Sequence, residues 1–107
     1  MAIKSITSEE LKSKLDKNEE LILVDCREQD EWDAGHIEEA RLIPLSVLEE
    51  RFSELNEYKD KQIIMQCRSG KRSLNACHFL EEQGYSNLTN LEGGILGWGE
   101  LGYKIIE

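Results

Sequence analysis

Two apolar runs, Leu21-Ile22-Leu23-Val24 and Ile63-Ile64-Met65, lack the polar alternation of a half-exposed strand. A strand that is apolar on both sides must be covered on both faces, the situation of a parallel sheet sandwiched between helices. Segments of helical periodicity separate the strand-like runs, so the fold class is α/β, a mostly parallel five-stranded sheet with helices on both faces. At 107 residues the chain has room for one domain, spanning 1–107, with a real hydrophobic core.

The order of elements follows from local signals. Thr7-Ser8-Glu9-Glu10 has the form of a capping box, and Leu11 and Leu15 lie four apart, predicting a helix from Ser8 to Lys17. The first buried run ends in Asp25. An acidic segment, Glu28 to Gly35, reads as short helix or irregular chain, and Arg41 to Pro44 as a brief strand. Leu45, Leu48, Phe52 and Leu55 give helical spacing across Ser46 to Asn56, with Ser46 as the cap. After the strand Gln62 to Gln66, a helix from Ser73 to Gln83 turns Leu74, Cys77, Phe79 and Leu80 inward and stops at Gly84. Asn87 to Leu91 is the next strand, Gly93-Gly94 opens a turn into Ile95 to Leu101, and Tyr103 to Ile106 reads as a terminal strand. Ligands of such sheets bind at the carboxyl ends of the strands, where Asp25, Cys26 and Cys67 fall.

Charge singles out one of those ends. The chain carries 22 acidic and 13 basic residues, a net charge of -9, yet Lys61 to Leu80 holds four bases and no acid. A small positive basin in a negative surface concentrates small anions while the far field repels polyanions. Nucleic acid is therefore not an expected partner, since it requires an extended basic surface. Within the basin lies Gln66-Cys67-Arg68-Ser69-Gly70-Lys71-Arg72-Ser73. A thiol at a strand end, followed by a small-residue loop that opens a helix, has backbone N–H groups aimed at the sulfur, which should ionise easily.

No apolar run approaches the ~20 residues of a membrane helix, and Met1 to Ile6 lacks the apolar stretch of a signal peptide. A cytoplasmic protein with no membrane partner is expected. The three cysteines, Cys26, Cys67 and Cys77, form no C-x-x-C pair, so reduced thiols are expected rather than disulfides or a zinc site, with no metal and no cofactor.

Taken together, Val24-Asp25-Cys26-Arg27-Glu28, Trp32, Gly35-His36-Ile37, Ala40, Ile43-Pro44, Cys67 to Ser73, and Leu91-Glu92-Gly93-Gly94-Ile95 with Trp98 resemble a single-domain rhodanese over roughly Ile6 to Ile106. The resemblance implies a rhodanese-like α/β fold and a thiosulfate sulfurtransferase-type enzyme. It assigns Cys67 as the catalytic residue that becomes a persulfide and Cys67 to Arg72 as the anion-cradling loop, with Ser73 beginning the helix behind it. Substrate-binding roles then fall to Arg68, Ser69, Gly70, Lys71, Arg72 and Ser73. Lys71 is a mobile point charge and Arg72 a planar fork, so the pair suits a small anionic sulfur donor. Acceptors would be cyanide or a thiol, such as that of thioredoxin or another sulfur-relay protein. Cys26 departs from the family, which more often has an apolar residue between the matching Asp and Arg, and leaves open a second reactive thiol.

Two other functions use the same loop. A non-catalytic carrier or sulfur-relay module would hold a persulfide delivered by a partner. A cysteine phosphatase or arsenate reductase would need five residues between nucleophile and arginine, but only four separate Cys67 from Arg72, and Ser73 stands where that arginine belongs.

The remaining conspicuous residues have plainer readings. Cys77 fits a helix interior, His36 a structural turn, and His78 an exposed helix face. Asp25, Arg27 and Glu28 suit a hydrogen-bonded brace, Trp32 and Trp98 packing, and the acidic run Gln29 to Glu39 solvated surface.

Overall fold

The two unalternating runs become adjacent inner strands in the computed structural model, which describes residues 3–107. β2 (Leu21–Asp25) and β4 (Gln62–Gln66) pair in parallel, with Leu21 opposite Gln62 and Asp25 opposite Gln66. β1 (Lys4–Ile6), β3 (Arg41–Leu42) and β5 (Leu88–Leu91) complete a five-stranded sheet of order β1-β5-β4-β2-β3, parallel at every pairing.

Side chains of a strand point alternately to its two faces, and the two faces build two cores. Leu23 and Ile64 face Leu11 of α1 (Ser8–Asp16) and Ile95 and Trp98 of α5 (Gly94–Glu100). Val24, Ile63 and Met65 face Leu48 of α3 (Leu48–Arg51) and Ala76, Cys77 and Leu80 of α4 (Lys71–Glu82). Leu11 and Leu80 are fully buried, so truncating either to Ala costs about 2–5 kcal/mol. The capping box forms as expected: Glu10 N donates to Thr7 Oγ1 at 3.1 Å and Thr7 N to Glu10 Oε1 at 2.8 Å.

Four details differ from the sequence-based expectations. The fifth strand is β1, at the amino end; Tyr103 to Ile106 contributes only an isolated antiparallel bridge between His36 and Ile106. The segment predicted as one helix from Ser46 to Asn56 is a 3-10 turn (Leu45–Val47), the short α3 and a second 3-10 stretch (Phe52–Tyr58). Ser46 does not cap it: its hydroxyl donates to Glu28 Oε1 at 2.7 Å. α4 starts at Lys71 rather than Ser73, and Ser73, Ala76, Cys77 and Leu80 form its inward stripe while Leu74 is exposed. Small residues bring this helix close to the sheet, so side-chain size misleads about which face is inside.

Candidate active site at the carboxyl end of β4

β4 delivers Cys67 to the floor of a turn made by Arg68, Ser69 and Gly70, after which α4 begins at once. Gly70 makes the reversal, with φ +107, a left-handed conformation that a side chain would strain. The turn aims two amides at the sulfur: Gly70 N donates to Cys67 Sγ at 3.1 Å and Ser73 N at 3.3 Å. The carbonyls of the same loop are drawn the other way. Ile95 N donates to Cys67 O at 2.9 Å and Leu96 N to Arg68 O at 3.1 Å. Gly94, at φ +56, lies so close beneath that a Cβ there would meet Cys67 O at 2.5 Å. The Gly93-Gly94 pair thus lets α5 take up the loop's acceptors, leaving donors around the thiol.

Asn90 at the end of β5 fixes the loop from the side. Its Nδ2 donates to Gly70 O at 3.1 Å, which orients Oδ1 toward the Ser73 hydroxyl. That hydroxyl also lies 3.4 Å from Cys67 Sγ. It has one hydrogen to give, and the shorter contact is to Asn90. The backbone amides are therefore the steadier of the loop's donors to the sulfur.

Cys67 is 1% exposed, and burial alone would raise its pKa. Its pKa is instead held well below the ordinary thiol range. The neighbouring Cys26 thiol is the largest cause, followed on the lowering side by the Ser73 hydroxyl and the amides of Ser73 and Gly70. Cys26 is shifted the opposite way by its interaction with Cys67, by burial and by the negative charge of Cys67. Cys77 is pushed up to about 12, chiefly by burial, and donates to Thr89 O at 3.8 Å. It is a packing residue, as its helix pattern suggests.

The cations divide into two kinds. Arg72 is held by Glu31 of α2 (Gln29–Ala34), Nη1 to Oε1 at 2.7 Å and Nη2 to Oε2 at 2.8 Å. The guanidinium holds the Glu31 carboxyl down to about 2, and the carboxylate raises the pKa of Arg72 in turn. Arg68, Ser69 and Lys71 are exposed, and the side chains of Arg68 and Lys71 have no hydrogen-bond or ion-pair partner among the described residues. Arg68 stands on the rim of a cavity of about 540 Å³, whose other walls include Glu31, Ile95, Leu96 and Ile105. Of the six loop residues picked out in the sequence, Gly70 and Ser73 touch the sulfur, Arg68 and Lys71 face outward, Ser69 is exposed and Arg72 is clamped.

Asp25 and Arg27 form the expected brace. Arg27 Nη2 donates to Asp25 Oδ2 at 2.7 Å and to Gly35 O at 2.7 Å, and Arg27 N to Asp25 Oδ1 at 3.0 Å. His36 stacks on Trp32 with ring centroids 3.6 Å apart, and Trp98 Nε1 donates to Lys104 O at 2.9 Å, so all three are structural. Sequence reading missed two contributors. Asn90 carried one signal, an amide between Thr89 and Leu91 near the end of a strand just before Gly93-Gly94. Glu31 carried another, its spacing three residues after Glu28, whose N–H donates to Glu31 Oε1 at 2.9 Å. In a run read as solvated acid, that spacing marked an ordered helix start.

Comparison with known proteins identifies the family of the fold. The family model described as a rhodanese-like domain matches residues 7–101. YtwF of Bacillus subtilis is 42% identical over 98 residues, covering 92% of both chains. A protein of Allochromatium vinosum named sulfurtransferase is 38% identical over 104 residues, 97% of this chain and 95% of that one. The crystal structure of a rhodanese-like domain protein from Staphylococcus aureus superposes with a TM-score of 0.85 at 34% identity, covering 98% of this chain and 100% of that one. The family match over residues 7–101 and these relatives agree, and the chain belongs to the rhodanese-like domain family.

Proposed function

We propose that this chain is a sulfurtransferase that carries a sulfane sulfur on Cys67. The observation supporting it most directly is the pair of backbone amides, Gly70 N and Ser73 N, on Cys67 Sγ. They favour a thiolate now and are positioned to favour a persulfide anion later. With thiosulfate as donor, the Cys67 thiolate attacks the outer sulfur, the S–S bond of the donor breaks and its electron pair leaves with sulfite, giving a Cys67 persulfide anion. The acceptor then attacks the terminal sulfur: cyanide becomes thiocyanate, a thiolate becomes a persulfide, and Cys67 returns as thiolate. This is two-step covalent catalysis. Arg68 at the cavity rim and the exposed Lys71, both without a partner among the described residues, are placed to attract the anionic donor. The setting we infer is cytoplasmic, with a thiol protein such as thioredoxin as one fitting acceptor.

A carrier role is favoured by a different observation. Cys67 lies beneath its loop and Arg72 is engaged by Glu31, so a persulfide handed over by a partner protein would need less of the free donor-binding charge. The phosphatase reading is disfavoured by the short loop, where Ser73 occupies the place of an arginine.

Sulfite release from thiosulfate, with cyanide as acceptor, tests the enzyme reading on the wild type and on Cys67→Ser. Release only by the wild type is expected, and equal release by both would overturn the assignment. Loading of Cys67 by a persulfidated protein but never by thiosulfate would select the carrier.

A further inference from the structure

Cys26 is a second thiol at the sulfur site, and the ladder between β2 and β4 sets its position. Those strands run in register up to Asp25 opposite Gln66, and Cys26 N donates to Gln66 O at 2.8 Å, carrying the pairing one residue further. Cys26 and Cys67 therefore follow each other across the two strand ends. Adjacent strands lie about 4.8 Å apart, within the roughly 4.4–6.8 Å Cα separation that a disulfide spans. Alternation puts both side chains on one face: Val24, Cys26, Met65 and Cys67 belong to the same core cluster, whereas Leu23 and Ile64 belong to the other. Both cysteines are free. Cys77 belongs to that cluster too, but its sulfur is directed to the Thr89 carbonyl of β5.

From this juxtaposition we infer that Cys26 is a resolving thiol that discharges the Cys67 persulfide as hydrogen sulfide and leaves a Cys26–Cys67 disulfide. The inference rests on the sulfurtransferase reading for formation of the persulfide. The Cys26 sulfur attacks the inner sulfur, Cys67 Sγ. A bond forms between the two cysteine sulfurs, the bond from Cys67 Sγ to the terminal sulfur breaks, and the terminal sulfur leaves with that electron pair and the Cys26 proton. The sulfane sulfur is reduced by two electrons to sulfide, and the cysteine pair is oxidised by two electrons, so no external oxidant enters. A dithiol reductant restores both thiols by exchange.

The site suits the step. Loading moves negative charge from Cys67 Sγ to the terminal sulfur, weakening the interaction that keeps Cys26 protonated. The loop amides of Gly70 and Ser73, which donate to Cys67 Sγ, keep donors beside the S–S bond that breaks. The strand pairing holds Cys26 beside the inner sulfur, so the nearest nucleophile is within the protein.

The experiment loads reduced wild type and Cys26→Ser with thiosulfate or glutathione persulfide, removes the donor, and incubates both without oxygen or acceptor. Wild type is expected to pass from a gain of about 32 Da to a loss of about 2 Da, with about one equivalent of sulfide and a peptide joining residues 26 and 67. Cys26→Ser should keep the added sulfur and release sulfide at least about tenfold more slowly. Wild type that keeps its added sulfur as long as the variant overturns the inference and leaves sulfur transfer intact. A bridge from Cys67 to Cys77 overturns it as well. Failure of either protein to gain sulfur from any donor overturns the sulfurtransferase reading, and this inference falls with it. The wild-type measurement decides even where Cys26→Ser folds poorly.

Discussion

The ends of β2 and β4 lie side by side, each closes on a buried cysteine, and the two thiols are shifted in opposite directions. At the β2 end the local polar groups are already committed. Cys26 N is used by Gln66 O and Cys26 O by Leu45 N at 3.0 Å, and the Asp25 carboxylate is spent on Arg27. Among the described residues no amide donates to the Cys26 sulfur, and the neighbouring Cys67 sulfur, burial and nearby negative charge disfavour its anion. At the β4 end the carbonyls of Cys67 and Arg68 are taken by α5, which frees the turn to present N–H groups to the sulfur. The two thiols are equally deep, so depth does not separate them: the Cys67 anion is favoured by the Cys26 thiol beside it, the Ser73 hydroxyl and the amides of Ser73 and Gly70.

Breaking the β2 end should cost the most stability. Asp25→Ala leaves the Arg27 guanidinium buried without its carboxylate, and about 3–5 kcal/mol of unfolding free energy should be lost in a urea melt. Cys67→Ala, equally deep, should lose about 1 kcal/mol, because that end is built around a reacting atom rather than an ion pair. Gly94→Ala attacks the β4 end from below. A Cβ against the Cys67 and Arg68 carbonyls, added at positive φ, should cost about 2–3 kcal/mol and shift the pH midpoint of Cys67 alkylation upward.

Alkylation also separates the donors to the sulfur. For the wild type the rate with iodoacetamide should hold level from neutrality into the acid range, since the Cys67 pKa is depressed. Cys26→Ala should move the midpoint up by about one unit or more. Ser73→Ala should move it less, since the amide remains and the hydroxyl is shared with Asn90.

The smallest effect is expected from Glu31→Gln. The pair with Arg72 is partly solvated, so stability should fall by under about 1 kcal/mol, while the freed guanidinium should lower the KM for thiosulfate. The sign of its pH dependence follows from a carboxyl whose pKa is lowered by folding. The stabilisation is complete above the unfolded value of 4.5 and is lost as the pH falls toward about 2. A thermal-melt series from pH 6 downward, compared between wild type and Glu31→Gln, should show the two curves converging in that window.

The inner sheet was legible because its residues satisfy a condition on both faces at once. Leu21 to Val24 and Ile63 to Met65 leave no polar side to solvate, and the capping box at Thr7 states where a helix starts. β1 was not legible: Lys4-Ser5-Ile6 has no apolar run and is a strand because β5 offers it partners, Lys4 opposite Thr89 and Ile6 opposite Leu91. At the site, Cys67, Gly70 and the local charge balance could be read from neighbours in sequence. The contacts of Glu31 and Asn90 with the loop could not, because each acts from another element, and distances of 41 and 20 residues along the chain vanish only after folding.

The tie from Asn90 to Gly70 has a consequence for motion. A turn of three residues would ordinarily open by itself, exchanging its amide protons with solvent on the timescale of a surface loop. Here it is sutured to β5 on one flank and to the start of α5 beneath. The Gly70 and Ser73 protons should therefore exchange with deuterium as slowly as those of the inner strands, so the sulfur's cradle is lost only when the sheet itself comes apart.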